Sequence, residues 1–162
     1  MSEPLEIPPS GTRGARTIWA SFPHRLFKPF LNMQISRYRR ATEPVAPKFL
    51  DFPLVLLTHR RGSHGPRVHA PARGFEQEDG TWLVVASKSG ASTHPGWLFN
   101  LCKGPDNVWL EVGNRKLKVR PTLLKGKERE AALARVAAIS PRYAEYQSKT
   151  DREIPIVSLK AY

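Results

Sequence analysis

The sequence lacks the residues on which several classes of small protein depend. It holds a single cysteine, Cys102, in 162 residues, which excludes an internal disulfide framework and a cysteine-rich zinc or iron–sulfur site. No stretch approaches the roughly 20 consecutive apolar residues of a transmembrane helix. The first residues have no apolar segment of the kind that a signal peptide needs. These absences predict a cytoplasmic protein, whose contact with a membrane would be peripheral, at the inner face.

Acidic residues are also few. The chain has 14 Asp and Glu against 26 Lys and Arg, which gives a formal charge of +12. Apolar residues make up 40% and charged residues 25%, as in an ordinary globular domain, so the positive charge belongs to a folded chain with an anionic partner. The basic residues are spread along the whole chain without an aromatic RNA-binding motif, so we expect no specific nucleic acid.

The first 48 residues divide into two parts by composition. Residues 1–16 are rich in Pro, Gly and Ser and have little to bury, so we expect them to be disordered. Over residues 17–40 the chain carries several arginines, and apolar residues recur at every fourth position: Ile18, Phe22, Leu26 and Phe30. This pattern predicts a basic amphipathic helix, which Pro29 should kink or split, and a linker to residue 48.

Three roles are open for this helix. It can cap the following domain, or close over a substrate as a lid. It can also rest on an anionic membrane through residues 17–40, where each nearby Lys or Arg contributes about 1 kcal/mol.

Residues 49–162 have the pattern of a small sheet with helices outside it. Asp79-Gly80 and Gly113-Asn114 lie between short apolar segments and predict hairpin turns. We predict strands over 54–58, 67–75, 82–86, 107–112, 116–124 and 154–159, and helices over 97–103, 127–139 and 143–149. The predicted fold class is therefore mainly β (α+β), a small barrel with peripheral helices.

The most informative segment is ASKSGASTHPGWLFNL, residues 86–101. A strand-to-helix loop of Ser, Gly and Ala exposes backbone N–H groups, and Lys88 adds a positive charge, so the loop is a candidate anion site. An ordinary turn is about twice as common for such a composition. Trp97 and Asn100, three residues apart on one helix face beside the loop, favour a ligand site.

This segment resembles the ASKGGA..HP.W..NL signature of the deazaflavin-dependent nitroreductase and quinone reductase family, whose members bind coenzyme F420. Two further segments resemble family motifs: PLVLLT with a basic Gly/Ser loop, and SPRYAEYQSKTDREIPIV. The resemblance covers Pro53 to Leu159 in the expected order. It implies a split β-barrel like that of flavin reductases and pyridoxamine phosphate oxidases. It also implies hydride transfer from reduced F420 to a quinone-like or nitroaromatic acceptor.

The resemblance also implies site residues, each by its position in a motif. Those expected to line the deazaflavin and its phosphate are Ala86, Ser87, Lys88 and Gly90. The helix against which the ring system packs is expected to contribute Pro95, Trp97, Asn100 and Leu101. The basic loop expected to meet the oligoglutamate tail contains Arg60, Arg61, Ser63 and Arg67. The expected catalytic residues are Ser87, Tyr143 and Tyr146.

The chain departs from the family pattern at two places. The basic loop over residues 59–67 is one residue shorter than usual, which leaves open whether it binds the oligoglutamate tail as in other members of the family. Ser140 stands where the family often has a tyrosine, so we expect a wider pocket or a different acceptor.

Other functions stay open on the sequence alone. The same fold serves enzymes that use flavin mononucleotide (FMN) and non-catalytic carriers of F420, heme or a fatty acid. His59, His64 and His69 are spaced by five, but no carboxylate or thiol accompanies them, so no metal site is expected. The oligomeric state is not predicted.

Overall fold

The structure is a computed structural model and describes residues 4–16, 24–40, 48–49, 52–62 and 64–162. Within these ranges the strands are β1 (Lys48–Phe49), β2 (Phe52–Arg60), β3 (Arg67–Glu76), β4 (Trp82–Val85), β5 (Trp109–Val112), β6 (Arg115–Leu123) and β7 (Ile156–Ala161). The helices are α1 (His24–Arg39), α2 (Gly96–Lys103), α3 (Gly126–Ile139) and α4 (Arg142–Lys149).

Six of these strands close into an antiparallel barrel. The order along the sheet is β1-β2-β3-β4-β7-β6-β5, and pairing of β2 with β5 joins its two sides. Because side chains alternate across each strand, one face of every strand points inward and fills the interior. The fully buried members of this core include Val55, Leu57, Val84, Leu110 and Leu159. The prediction of a small β-barrel is confirmed.

The sequence periodicity located each barrel strand to within a few residues. The turn at Gly113 has a φ of 58°, which suits glycine and explains the tight hairpin between β5 and β6. The predicted helices over 97–103, 127–139 and 143–149 correspond to α2, α3 and α4.

A second apolar layer lies outside the barrel, between its wall and helices α3 and α4. Its buried members are Phe75, Leu83, Ala132, Val136, Tyr143 and Ile156. Arg129 on α3 joins the layer to the segment before β7, because its guanidinium donates to the carbonyl of Ile154 at 2.9 Å and also bonds Gln147. Helix α4 is thereby held at a fixed place beside the barrel.

The C-terminal end of α1 docks on the barrel through a polar cluster. The Tyr38 hydroxyl bonds the carbonyl of Glu111 at 2.8 Å, and the Arg39 guanidinium forms two hydrogen bonds with the Glu111 carboxylate, at 2.7 and 2.8 Å. Burial alone would raise the pKa of Glu111, but hydrogen bonds from Arg39 and Thr58 outweigh burial and lower it. The helix is continuous from His24 to Arg39, so of the kink or split expected at Pro29 the split is wrong. Residues 17–23 of the predicted helix lie outside the described residues.

Residues 4–16 lie along the barrel rather than free of it. The N–H groups of Gly11 and Ala15 donate to the carbonyls of Ser92 and Gly90, at 2.8 Å in each case. The Asp151 carboxylate accepts from the N–H groups of Thr12 and Arg13, both at 2.9 Å. The sequence suggested a disordered terminus because the segment has few apolar residues. Backbone hydrogen bonds, which composition does not reveal, hold it in place.

Candidate functional site

The loop that follows β4 has an unusual backbone conformation. Ser87 is in the right-handed helical region, with φ −72° and ψ −39°, whereas Lys88 and Ser89 have positive φ values of 46° and 55°. A right-handed residue followed by a left-handed one turns three successive N–H groups toward a common point, a nest that binds anions. Positive φ costs a residue with a side chain about 1–2 kcal/mol, and strain of this kind clusters at functional sites.

The N–H groups of this nest are left over after internal pairing. The loop's own hydrogen bonds run from Gly90 N to the Ser87 carbonyl at 2.9 Å and from Ala91 N to the Lys88 carbonyl at 3.0 Å. Among the described residues, no acceptor takes the N–H of Lys88 or Ser89. The Lys88 ammonium lies on the same loop and bonds the Thr93 hydroxyl at 2.8 Å. The donors and the charge suit a phosphate group.

Gly90 places this loop directly against helix α4. It has a φ of 81°, and a Cβ atom there would lie 2.8 Å from the Tyr146 carbonyl oxygen and 3.0 Å from the Lys149 Cβ. Only glycine fits both the conformation and the space. The loop and α4, the helix that carries Tyr143 and Tyr146, are therefore in contact.

A buried arginine lies behind the loop, and sequence reasoning missed it. The guanidinium of Arg152 donates to the carbonyls of Ala86, Ser87 and Ala91, at 3.1, 2.8 and 2.7 Å, and to His94 Nδ1 at 3.1 Å. Its side chain is 2% exposed. Because its partners are mostly backbone atoms about 60 residues away in sequence, no side-chain pattern identifies it. The one available signal was its place in the TDREIPIV motif.

His94 connects the loop to the N-terminal segment. Its Nε2 lies 2.8 Å from the Pro8 carbonyl and its Nδ1 lies 3.1 Å from the Arg152 guanidinium, so the neutral ring with a proton on Nε2 satisfies both contacts. Burial lowers the pKa of His94, and the charge of Arg152 lowers it further, although the Pro8 hydrogen bond acts in the opposite direction. We therefore assign His94 a structural role in the loop.

Helix α2 begins at this loop. The site residues predicted at and on this helix fall into two groups, those near the surface and one in the barrel core. Pro95 precedes its first turn and Trp97 is partly exposed, while Asn100 Oδ1 accepts from Gly62 N at 3.2 Å. This last contact brings the basic loop next to α2. Leu101, by contrast, is fully buried in the barrel core. The structure places its side chain under the site and not on an open surface.

The basic loop is a tight turn between β2 and β3. The side chain of Arg60 donates to the Gly65 carbonyl at 3.2 Å, and the Arg67 guanidinium lies 4.9 Å from the centre of the Trp109 ring. Arg61 and Arg67 are exposed, and Ser63 lies outside the described residues. The loop presents positive charge to solvent, but two of its arginines have contacts within the protein.

The two tyrosines of α4 have different surroundings. Tyr143 is 5% exposed and packs edge-on against Phe75, with ring centres 5.4 Å apart. Burial raises the pKa of its hydroxyl to about 12, although the charge of Arg73 opposes the shift. Tyr146 is half-buried and lines an open pocket of about 500 Å³ that also contains Ser140, Arg142 and Lys149. Tyr146 is thus the tyrosine with access to a ligand.

Two buried histidines, His59 and His94, and the half-buried His69 predict how the stability depends on pH. Burial lowers the pKa of His59, His69 and His94 below the usual 6.5, so as the pH falls the unfolded chain takes up protons first. The stability that the neutral rings provide is present above pH 6.5 and is lost as the pH falls from there through the lower folded-state values. We expect the free energy of unfolding, measured with urea, to rise between about pH 5 and pH 7. His94→Gln should reduce that slope, and a flat profile would contradict this account.

Neither a metal centre nor a membrane span is found among the described residues. No three His, Cys, Asp or Glu side chains gather there as ligands. No helix in that part of the chain is long and apolar enough to cross a bilayer.

The sequence profile of the F420H(2)-dependent quinone reductase family matches residues 31–161. This chain belongs to that family. An F420H(2)-dependent quinone reductase of Mycobacterium tuberculosis is 30% identical over 134 residues, which is 80% of this chain and 88% of the relative.

Two solved structures are similar to this chain in sequence and in fold. One described as an F420-H2 dependent reductase is 36% identical with a TM-score of 0.60, over 67% of this chain and 94% of that one. Another, described as a domain-swapped dimer, is 32% identical with a TM-score of 0.63, over 82% and 98% of the two chains. The predicted family, the split-barrel fold and the use of coenzyme F420 by an oxidoreductase are confirmed.

Proposed function

We propose that this member of the F420H(2)-dependent quinone reductase family holds the phosphate of F420 on the nest at Ser87–Ser89. Trp97 on α2 and Tyr146 on α4 would hold the deazaflavin ring, which would supply a hydride for a quinone-type acceptor, with nitroaromatic compounds as a second acceptor class. The observation that carries the proposal is the set of unused N–H groups beside Lys88.

The residues around the nest fit the groups that F420 would bring. Three converging N–H groups and an ammonium match the charge of a phosphate. The exposed arginines of the basic loop, Arg61 and Arg67, match an oligoglutamate tail. Trp97 offers an apolar face on α2 for a planar ring system. Together with Lys88, the arginines of the basic loop supply more positive charge than the one phosphate of FMN requires. This favours F420, whose oligoglutamate tail brings further negative charge.

The protein's part in the reaction is to place the cofactor and the acceptor and to donate a hydrogen bond to the reacting oxygen. When bound, reduced F420 supplies the hydride. The nest and Lys88 fix one end of the cofactor, so that its ring is held at a constant distance from the acceptor. Tyr146 donates a hydrogen bond to the acceptor oxygen, whose negative charge grows as the acceptor is reduced. Tyr143, whose pKa is about 12, stays protonated and packs beneath it.

A fluorescence titration with purified coenzyme F420 tests this function. We expect saturable binding with a dissociation constant below the high micromolar range and reoxidation of F420H2 when a soluble quinone is added. Lack of binding would overturn the proposal. Binding without turnover on quinones or nitroaromatic compounds would assign the protein to the carriers instead.

The two tyrosines are expected to respond differently to loss of the hydroxyl. Tyr146→Phe should lower kcat/KM for a quinone about 10-fold to 100-fold, because one hydrogen bond to the reacting oxygen is lost. Tyr143→Phe should change turnover less, since that side chain is only 5% exposed. F420 affinity should stay the same in both variants. Full turnover in both would mean that the tyrosines only pack.

We further propose that α1 brings the enzyme to an anionic membrane surface, where lipid-soluble quinones are found. Arg37 and Arg40 are exposed, and Met33 on the same helix is 47% exposed. A basic helix with an exposed apolar residue binds anionic lipid by charge and by burial of that residue.

Vesicle sedimentation tests the membrane contact. We expect wild-type protein to sediment with phosphatidylglycerol vesicles and not with phosphatidylcholine vesicles. The double change Arg37→Glu and Arg40→Glu should weaken binding at least about 10-fold, at about 1 kcal/mol for each charge. The matched control, Lys127→Glu with Lys160→Glu, makes the same change in net charge elsewhere on the surface. An equal effect of both pairs would contradict a role for α1.

A further inference from the structure

Arg152 is placed to do more than stabilise the fold. From behind the loop, its guanidinium donates hydrogen bonds to the carbonyls of Ala86, Ser87 and Ala91. Backbone N–H groups of the N-terminal segment donate to the carbonyls of Gly90 and Ser92. With these acceptors held on the inner side, the peptide groups of the loop turn their N–H groups to the outer side. The conformation of the nest therefore depends on what lies behind it.

The charge of Arg152 is also unmatched. Among the described residues, no carboxylate lies within 4.0 Å of its guanidinium, and its neighbours Asp151 and Glu153 face other partners. A buried cation without a counter-ion is rare, because desolvation must be offset by pairing. Burial lowers the pKa of Arg152, yet a guanidinium remains charged in proteins. A positive charge is thus fixed behind the N–H groups of Ser87 and Lys88, because the guanidinium holds the carbonyls of the same two peptide groups, those of Ala86 and Ser87.

We propose that Arg152 is the positioning residue of the phosphate site: it holds the nest open from behind, and its unpaired charge becomes the counter-charge of the bound phosphate. The inference rests on the proposed function of the loop and adds a residue that does not touch the ligand. Its guanidinium is 2.8 Å from the Ser87 carbonyl, so one peptide unit separates it from the nest. Across so short a distance in a partly dry site, charges interact strongly enough to change binding about 10-fold to 100-fold.

Selective loss of phosphate recognition is the result expected from substitution. Arg152→Gln should weaken F420 binding about 10-fold to 100-fold and leave unchanged the binding of the phosphate-free deazaflavin fragment of F420. Arg152→Lys keeps the charge but makes fewer carbonyl contacts, so it should lie between wild type and Arg152→Gln. The inference is overturned if both ligands lose affinity equally, or if neither does.

Arg129→Gln is the matched control. Arg129 is also buried and also donates to a backbone carbonyl, that of Ile154, but it does not contact the loop. Arg129→Gln should lower the free energy of unfolding, but it should not change the affinity for F420 relative to the affinity for the phosphate-free fragment. The same selectivity in this variant would show that the effect of Arg152 is general destabilisation.

A measurement on wild-type protein keeps the inference testable if the Arg152 variants do not fold. Titration with inorganic phosphate, followed by nuclear magnetic resonance, should shift the amide signals of Ser87–Ser89 together with the Nε–H signal of Arg152. Absence of a shift at Arg152 while the amides respond would overturn the counter-charge, and no response at either would overturn the site. If wild-type protein binds neither F420 nor the fragment, the proposed function fails, and the phosphate titration still decides the role of Arg152.

Discussion

Gly90→Ala is expected to lower the free energy of unfolding by about 2–4 kcal/mol and to weaken F420 binding at least about 10-fold. Two costs add at this position. A φ of 81° is a left-handed conformation that costs a residue with a side chain about 1–2 kcal/mol. The new methyl group would also lie 2.8 Å from the Tyr146 carbonyl oxygen, a backbone atom that can move only if α4 moves. Either the loop or α4 must then shift.

Gly80→Ala separates the two costs. Gly80 also has a positive φ, 76°, but nothing lies within 4 Å of the position that its Cβ would take. This variant should therefore lose only about 1–2 kcal/mol and should bind F420 as wild type does. Urea denaturation gives the two stabilities, and fluorescence titration gives the two affinities. If Gly90→Ala costs no more than Gly80→Ala, the loop does not depend on its contact with α4.

The sequence predicted the barrel well because its signals are local. Alternation of apolar residues and turns such as Asp79-Gly80 depend on residues next to one another, and the structure has a strand or hairpin at each place. The small residues of the 86–92 segment also pointed to an anion site. They did not show that Lys88 and Ser89 adopt positive φ values, since Gly90 alone would have been the expected left-handed residue.

The parts that sequence did not predict depend on contacts between distant segments. Arg152 bonds backbone carbonyls of residues 86–91, and every residue type has a carbonyl. Residues 4–16 are held by backbone hydrogen bonds and by the Asp151 carboxylate, although their composition suggests a disordered terminus. Leu101 shares a motif with Asn100 but faces the core, because adjacent residues on a helix point in different directions.

Lys88→Ala should weaken the binding of F420 about 10-fold to 100-fold while leaving the fold intact. A charge-assisted hydrogen bond to phosphate is worth about 1.5–3 kcal/mol, which corresponds to that range. In the protein without ligand, the Lys88 ammonium bonds only the Thr93 hydroxyl among the described residues, at 2.8 Å, so its removal exposes no buried charge. Alanine at a φ of 46° bears the same backbone strain as lysine, and the stability should therefore change little.

The effect should depend on salt and on the phosphate, and both dependences are measurable. Raising the ionic strength screens the ammonium, so the difference in F420 affinity between wild type and Lys88→Ala should shrink as salt is added. The phosphate-free fragment should bind both proteins equally. Lys127→Ala removes an exposed lysine from α3 and is the matched control for net charge. A comparable loss of affinity in that control would mean that overall charge, rather than a phosphate contact at the nest, attracts the cofactor.

The double variant Lys88→Ala with Arg152→Gln should lose less affinity for F420 than the two single losses combined. Arg152 lies behind the nest and Lys88 beside it, so both charges act on one phosphate.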